Sequence, residues 1–522
     1  MMTKPNDTVL IINAAGVRGS RQDIVERQTK YLPYSSAVIV ARLRKLGFKV
    51  AHRDLRNTVT PALPEQLSFE DFDEWLSLHK KNPQMEELLR RSVGLLPDLS
   101  HVGLIGISVF THNNYPYALS LAKEIKGLRP DVPICLGGCF ITIKNLEIPD
   151  YVDFLVKGNG GEPICHLARH FIRGALLDPN TPGLVYSRNG TVIDNGRNQE
   201  PPELEDLPDF SDLELNRYVR KIPRRVLRSD IDANREILIV PYRASLGCRG
   251  KCSFCTGRLV DRLGSKSVPK VLEEIKQLLG LHENVLIRFC DSSINNNPRM
   301  ISELCDALIQ EGIRFNWNGY VKASNINTAL LEKFARTGCN VLAWGLENAS
   351  PRMIKVFHKK YDPAEAAGHI KRAAELGIQN VIFLILNGPG EQIEDLDNTE
   401  TFVRRLLRYP NVTFQFGEFI LEEGSEIYAN PDKYRIEIQG RPQKVDHTRR
   451  EKIRWKEAGL DMGAFERKQR LHTQRRKRMV LYQRTVKSLQ KRGVPIPEPF
   501  IFLFCRIAFR LLEIAGMDHR IP

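Results

Sequence analysis

Apolar and polar positions follow a repeating order in the first third of the chain. Short apolar runs recur at "TVLIINAA" (Thr8–Ala15), "KVAHRDL" from Lys49, "HVGLIGISVF" (His101–Phe110), "VPICLGG" (Val132–Gly138) and "YVDFLVKG" (Tyr151–Gly158). Such runs read as strands buried on both faces. Between them, "SSAVIVARLRKLGF" (Ser35–Phe48) and "YPYALSLAKEIKGLRP" from Tyr115 space their apolar residues as helices do. Alternating strands and helices predict an α/β unit with a parallel, doubly wound sheet, whose ligands sit at the carboxyl ends of the strands. Residues 1–187 are assigned to it.

The texture changes over residues 188–236. "NQEPPELEDLPDFSDLEL" is acidic and proline-rich without a sustained period, and reads as a linker. Alternation then resumes over residues 237–430. Strands are expected at Ile237–Pro241, Asn284–Cys290, Arg314–Val321, Asn340–Gly345, Asn380–Asn387 and Asn411–Ile420. Helices such as "KVLEEIKQLL", "PRMISELCDALIQEG" and "NTALLEKFARTG" separate them. Six strand–helix units in series predict a partial (βα)6 barrel with its site at the carboxyl mouth. From 431 to 522 the text is helical and basic.

Composition sets the remaining bounds. A chain of 522 residues has room for roughly three domains at ~150 residues each. No run approaches the ~18 apolar residues of a membrane-spanning helix. The polar lead "MMTKPND" has no signal-peptide pattern. Of ten cysteines, seven are scattered, mostly in apolar segments, and read as small buried hydrophobes in a reducing cytoplasm.

The other three are Cys248, Cys252 and Cys255 in "SLGCRGKCSFCTG". A structural zinc site takes four ligands, usually from CxxC pairs, and a disulfide takes two. Gly247, Gly250 and Gly257, with Arg249, Lys251 and Ser253, describe an exposed loop. Three thiolates on such a loop suit an iron–sulfur cluster with one iron left for an exogenous ligand.

At this point the sequence resembles the radical S-adenosylmethionine (SAM) superfamily, over about 237–428. The resemblance implies that Cys248, Cys252 and Cys255 hold a 4Fe–4S cluster whose fourth iron is chelated by SAM. It implies reductive cleavage to a 5′-deoxyadenosyl radical, with electrons from a donor such as flavodoxin or ferredoxin. "CSFC" puts Phe254 where the family contacts adenine. "LIRFCDSS" ends a strand with Asp291, matched to the methionine amine, and "YVKAS" offers Lys322 for the carboxylate. "WGLENAS" matches the G-x-E-S/N turn through Gly345, Glu347 and Asn348. "LNGPGE" matches the glycine-rich turn through Gly388 and Gly390, with Asn387 where glycine is usual. "EEGSEIYANP" matches the closing segment.

The first domain resembles Rossmann-like cobalamin-binding domains found ahead of radical SAM domains. The carriers are "GISVFT" with Ser108 and Thr111, "LGGCFIT" with Gly137, Gly138 and Thr142, and "VKGNGGEP" with Gly158 and Glu162. Glycines at strand ends let a bulky ligand approach the backbone. No D-x-H-x-x-G supplies a histidine to cobalt, as in the cobalamin-dependent radical methyltransferases. The resemblance therefore implies methyl transfer from methylcobalamin to a carbon or phosphorus centre. Radical oxidation, cyclisation or ring rearrangement with the same cofactors stays open.

Charge adds one more feature. The net charge is +15, and from Arg441 to Pro522 there are 21 Lys/Arg against 8 Asp/Glu. "RKQRLHTQRRKRMVLYQRTVKSLQKR" mixes cations and aromatics as phosphate-tracking segments do. A nucleic-acid-binding protein is the reading of another class, but a solvated helical face is the commoner origin of such runs. Further on, "FIFLFCRIAFRLLEIAG" is apolar except at Arg506, Arg510 and Glu513. It is expected either to pack on the barrel or to lie in a membrane surface, the latter suiting a lipid-like substrate. The expected location is cytoplasmic, with peripheral membrane contact if this helix lies in a membrane surface.

Overall fold

A computed structural model describes residues 6–15, 31–58, 83–110, 114–143, 147–198, 206–222, 236–256, 263–440, 453–493, 501, 503 and 505–509. The chain divides into two compact units. One is formed chiefly by Met1–Arg220, with Leu238–Tyr242; the other chiefly by Arg243–Gln443 and Lys452–Pro522.

In the first unit β1 (Thr8–Asn13), β2 (Lys49–Asp54), β3 (Val102–Ser108), β4 (Ile134–Gly137) and β5 (Phe154–Val156) pair in parallel, in the order β2-β1-β3-β4-β5. Helices α1 (Tyr34–Lys45), α2 (Tyr115–Leu128) and α3 (Gly161–Arg173) connect them. Leu10 and Ile12 join a core with Tyr117 and Leu121 of α2. Val9 and Ile11 join another with Val40 and Leu43 of α1 and Leu167 of α3. Neighbouring residues of one strand thus serve opposite faces, which is why β1 reads as a continuous apolar run.

The sheet is longer than its apolar runs announce. Strands β6 (Leu184–Arg188) and β7 (Thr191–Asp194) add an antiparallel hairpin beside β5. Residues 188–194, expected in the linker, are therefore partly strand. Asn189 and Gly190 make the turn, both at positive φ (52° and 75°), the two-residue hairpin geometry such a pair favours.

The second sheet has the order β16-β15-β14-β13-β12-β9-β8. In sequence these are β8 (Val219–Lys221), β9 (Glu236–Tyr242), β12 (Val285–Phe289), β13 (Asn316–Val321), β14 (Cys339–Glu347), β15 (Gln379–Leu386) and β16 (Val412–Glu418). From β12 to β16 the pairing is parallel. The six strands β9 and β12–β16 are those the alternation predicts for a partial barrel. The small strands β10 (Ser245–Leu246) and β11 (Gly264–Ser265) pair antiparallel across the cysteine segment.

Connecting helices are α4 (Val268–Leu279), α5 (Pro298–Gln310), α6 (Thr328–Arg336), α7 (Pro351–Val356), α8 (Pro363–Glu375) and α9 (Ile393–Leu407). Burial alternates along β14 and β15. Trp344, Leu346, Ile382, Leu384 and Leu386 are buried, whereas Ala343, Gly345, Glu347, Phe383 and Ile385 are only partly buried. A parallel sheet normally buries both faces. Here helices α6 and α8 contact β14 and β15, and the alternate side chains remain partly open.

The C-terminal region is only partly helical. β17 (Ile436–Ile438) and β18 (Trp455–Glu457) form a hairpin before the 30-residue helix α10 (Met462–Lys491). Asp461 caps α10 by accepting from Ala464 N at 2.7 Å. Phe465, His472, Met479, Tyr482 and Val486 bury one face. Arg475 and Arg478 pair with Glu400 of α9, and Gln483 bonds the backbone of Phe414 in β16 in both directions (2.7 and 3.1 Å). Beyond it, Ile501, Cys505 and Phe509 are buried, and the Cys505 thiol donates to Thr485 Oγ1 at 3.5 Å. Arg510 and Glu513 lie outside the described residues. No helix among the described residues is long and apolar enough to cross a membrane.

Candidate active site

The cysteine segment leaves β10 and returns towards β11, with Cys248, Cys252 and Cys255 each half-buried. Gly250 N donates to Cys248 Sγ at 3.3 Å. A Cβ on Gly250 would stand 3.3 Å from that sulfur and 3.5 Å from Lys322 Nζ, so the loop passes close beside the end of β13. Ser253 anchors its middle: its N–H donates to Phe357 O (3.2 Å), its hydroxyl to Val356 O (2.8 Å), and its carbonyl accepts from Ile427 N (3.0 Å). The Phe254 ring meets Phe357 edge-on at 5.2 Å. Burial is the main cause that pushes the Cys252 thiol up; Lys359 opposes it, and the charges of Cys255 and Cys248 add to it.

The strand ends surround this loop. Asp291, after β12, is buried; its carboxylate accepts from Ala244 N (3.2 Å) and Ser245 Oγ (2.5 Å). Burial pushes the Asp291 carboxyl up, although both donors pull it down. Asp291 thus braces the residues leading to Cys248. Lys322, after β13, donates to Asn296 Oδ1 at 3.0 Å, and the same oxygen accepts from Arg249 N at 3.0 Å. Glu347, at the end of β14, holds φ = 73°, a conformation that costs a non-glycine residue about 1–3 kcal/mol. Its carboxylate lies 3.3 Å from Lys359 Nζ, which also donates to Gly345 O at 2.9 Å.

Asn348 is wholly buried. It donates to Glu391 Oε1 (2.8 Å) and Ile385 O (3.3 Å) and accepts from Ser350 N and Thr399 Oγ1. It is a strut and presents no atom to the opening. The turn after β15 explains why. Glu391 accepts from Asn348, from Asn387 N (2.6 Å) and, if the ring nitrogen carries the proton, from His472 Nδ1 of α10 (3.2 Å). Asn387 sits at φ = 64°, where asparagine is tolerated in place of the usual glycine. Gly388 lies against Phe357 and Met353, and Gly390 N donates to Glu457 at 2.9 Å.

In the first unit the expected residues also gather at strand ends. Ser108 ends β3 and pairs with Gly137 at the end of β4. Gly138 has φ = 112°, and a Cβ there would stand 2.4 Å from Val109 O. Gly158 has φ = 87°, and a Cβ would stand 2.1 Å from Asn198 O. Both positions are closed to any other residue. The Thr142 hydroxyl donates to Gly138 O (2.9 Å) and accepts from Gly158 N (3.0 Å); it joins two strand ends. Glu162, on the first turn of α3, is ion-paired with Arg42. Thr111 lies outside the described residues. Cys139 is exposed, unlike the buried cysteines 135, 165, 305, 339 and 505. A cavity of about 310 Å³ lies elsewhere in this unit, by His52, Asp54, Asp212 and Tyr218. Its carboxylates are occupied: Asp54 by Arg56 and Tyr218, Asp212 by Arg44.

With this geometry the comparisons with known proteins can be placed. Over residues 242–403 the sequence matches the Radical SAM superfamily. The chain carries a radical SAM domain. An uncharacterized methyltransferase of Pyrococcus horikoshii is 25% identical over 319 residues, 58% of this chain and 64% of that protein. The anaerobic magnesium-protoporphyrin IX monomethyl ester cyclase of Synechocystis sp. is 23% identical over 283 residues, 52% of each chain. The matched region thus covers less than two thirds of either relative. Among solved structures, the cobalamin-dependent S-adenosylmethionine radical enzyme OxsB aligns with a TM-score of 0.65 at 14% identity, over 98% of this chain and 76% of its own. The radical S-adenosylmethionine methyltransferase TsrM of Kitasatospora setae aligns at 0.56 and 16%, over 81% and 74%. At these identities the likeness is one of fold.

The radical SAM domain also uses residues that the motifs do not announce. Asn295 is fully buried and donates to the carbonyls of Lys322, Ser324 and Asn325. With Asn296 it ties the β12 end to the β13 end and to the cysteine loop. Lys359 and Tyr361 follow α7 and cross the β14 end; the Tyr361 hydroxyl donates to Leu346 O (3.1 Å) and to Asn348 O. "SINNN" was legible as a polar run after a strand, whereas Lys359 carries no sequence signal. Among the described residues no three His, Cys, Asp or Glu side chains converge on a single-ion site. Thiolates that each serve a different iron stand farther apart than ligands of one ion. The half-exposed sulfurs, the loop's backbone donor and the nearby cation fit a cluster.

Proposed function

We propose that this protein is a cobalamin-dependent radical SAM methyltransferase that methylates a carbon or phosphorus centre of a small-molecule substrate. One observation carries the reading: three half-exposed thiols on one loop, at the strand ends of a half-barrel whose other face stays partly open. The first unit supports it with a doubly wound sheet whose glycines clear the strand ends, the place where such sheets take ligands. The methyltransferase names of the Pyrococcus relative and of TsrM favour methyl transfer over a ring closure.

When bound, the cluster and cobalamin supply one-electron chemistry and a group carrier. The chain's own part is to hold and orient. Cys248, Cys252 and Cys255 would hold the cluster. Phe254, Lys322, Gly345 and Glu347 would face SAM, with Asp291, Asn348, Gly388 and Gly390 fixing the loop and turn behind them. Ser108, Gly137, Gly138, Thr142 and Gly158 would bound the cobalamin site, with Glu162 on the helix beside it. In this reading the cobalamin domain, 1–187, continues through the hairpin to Asp194, and the barrel keeps 237–430.

The finer partners belong to the same proposal: a flavodoxin or ferredoxin as donor, and peripheral contact of a cytoplasmic protein with membrane. Leu503 and Ile507, both 53% exposed, flank exposed Arg506 and support that contact. Anionic liposomes should co-sediment the full chain, less so at high salt. The central test is anaerobic reconstitution with hydroxocobalamin and methyl-labelled SAM. Bound cobalamin and labelled product are expected. A protein that retains no cobalamin contradicts the proposal, and an unlabelled product selects the oxidation or cyclisation alternative.

A further inference from the structure

Lys359 is a largely buried cation of the radical SAM domain that no motif assigns. Its side chain is 13% exposed and its partner Glu347 15%. Nζ donates to Gly345 O at 2.9 Å, lies 3.3 Å from Glu347 Oε1 and stands 5.7 Å from the centre of the Phe254 ring. Phe254 separates Cys252 from Cys255 by sequence, so the ammonium is placed beside the cysteine loop and the β14 end together. The polypeptide is held there from three sides. Ser253 bonds Val356 and Phe357 just before it, Tyr361 bonds Leu346 just after it, and Lys359 N donates to Ile354 O at 2.9 Å.

A lysine kept this far from water needs negative charge to balance it. One carboxylate is present, and it is held at a strained backbone position to reach Nζ. Burial alone would discharge Lys359, yet Glu347, Cys252 and Cys255 together hold its ammonium above the ordinary lysine range.

We propose that Lys359 is a positioning and tuning residue for the three-cysteine centre: its ammonium raises the reduction potential of the cluster, and Glu347 sets how much of that charge is felt. This rests on the cluster reading above. The physical basis is that a buried positive charge favours the more negative, reduced state, and net charge is one of the levers that set a cluster's potential. Lys322 is left out of this role because the SAM reading already assigns its ammonium, which is bonded here to the Asn296 amide.

Removing Lys359 alone would leave Glu347 buried without a partner, and that carboxyl would take up a proton or destabilise the domain. The informative pair is therefore Glu347→Gln against Glu347→Gln/Lys359→Met. Both proteins, with the parent, are reconstituted anaerobically without SAM. Iron and sulfide are counted, and the midpoint potential is followed by EPR. The parent and both variants should hold the same iron. Glu347→Gln should titrate above the parent, and Lys359→Met in that background should shift the potential back down. Lys359→Arg should stay near the parent. Equal potentials for Glu347→Gln and the double variant overturn this inference alone. A parent protein that assembles no cluster overturns the reading of the centre and this inference with it.

Discussion

The two sets of strand ends are built from opposite materials. In the first unit the groups that bound the opening are small and backbone-directed. Gly138 and Gly158 admit no side chain, and the Thr142 hydroxyl is used between two main-chain groups. In the second unit the equivalent positions hold charge: Asp291 under the cysteine loop, Lys322 beside it, and the Glu347–Lys359 pair at the β14 end. The first makes room and the second makes a field. A bulky neutral ring system needs room, whereas a thiolate cluster and a sulfonium need charge placed beforehand.

This contrast can be broken most sharply at the cysteines. Cys248→Ala, Cys252→Ala and Cys255→Ala should each abolish 5′-deoxyadenosine formation and the cluster's visible absorbance. Cys305→Ala should keep both. A cysteine-loop variant with full activity removes the field half of the comparison.

The room half is tested by Gly138→Leu, which meets both a left-handed φ and the Val109 carbonyl. It should destabilise the first unit by ~3 kcal/mol or more, seen as an early thermal transition, while the iron content stays. Gly137→Ala is the milder probe, since its Cβ would lie an ordinary 3.5 Å from Val156. It should leave the melting curve unchanged and weaken cobalamin retention.

The struts behind the field come next. Asn348→Ala unsatisfies Glu391 and should cost about 2–4 kcal/mol in denaturant unfolding of the second unit.

The last effect concerns pH and the first unit alone. His52 is fully buried, and burial pulls its imidazole down to about 4 from 6.5. The unfolded chain therefore binds this proton more readily than the folded one. The contribution is complete above pH 6.5 and is lost as pH falls towards 4, in total about 3 kcal/mol at ~1.4 kcal/mol per pH unit. Unfolding curves between pH 7 and 4.5 should show this slope in the parent and lose it in His52→Gln.

Much of this was legible in the residues. Apolar runs placed β1, β3 and β4 because both faces of those strands are buried, and the cysteine spacing marked the loop directly. The hairpin β6–β7 went unread because its strands are short, with β6 buried only at Leu184 and Val185 and β7 largely exposed, although Asn189-Gly190 is a turn signal. Asp291 and Asn348 were legible as positions but not as roles. Only the fold shows that their polar atoms point inward, to Ser245 and Glu391. Lys359 was invisible because "FHKKY" follows no motif, and its importance arises from where α7 ends. The basic tail was read chiefly as a solvated helical face. Arg467, Arg470 and Arg484 are exposed, whereas Arg475 and Arg478 meet Glu400, and Lys468 meets Glu457.

The measurement closest to the central claim is an EPR spectrum of the reduced, anaerobically reconstituted protein with and without SAM. The account predicts about four irons per chain, a cluster signal that changes when SAM is added, and loss of both in Cys252→Ala. A signal indifferent to SAM, or one that persists without Cys252, would contradict it.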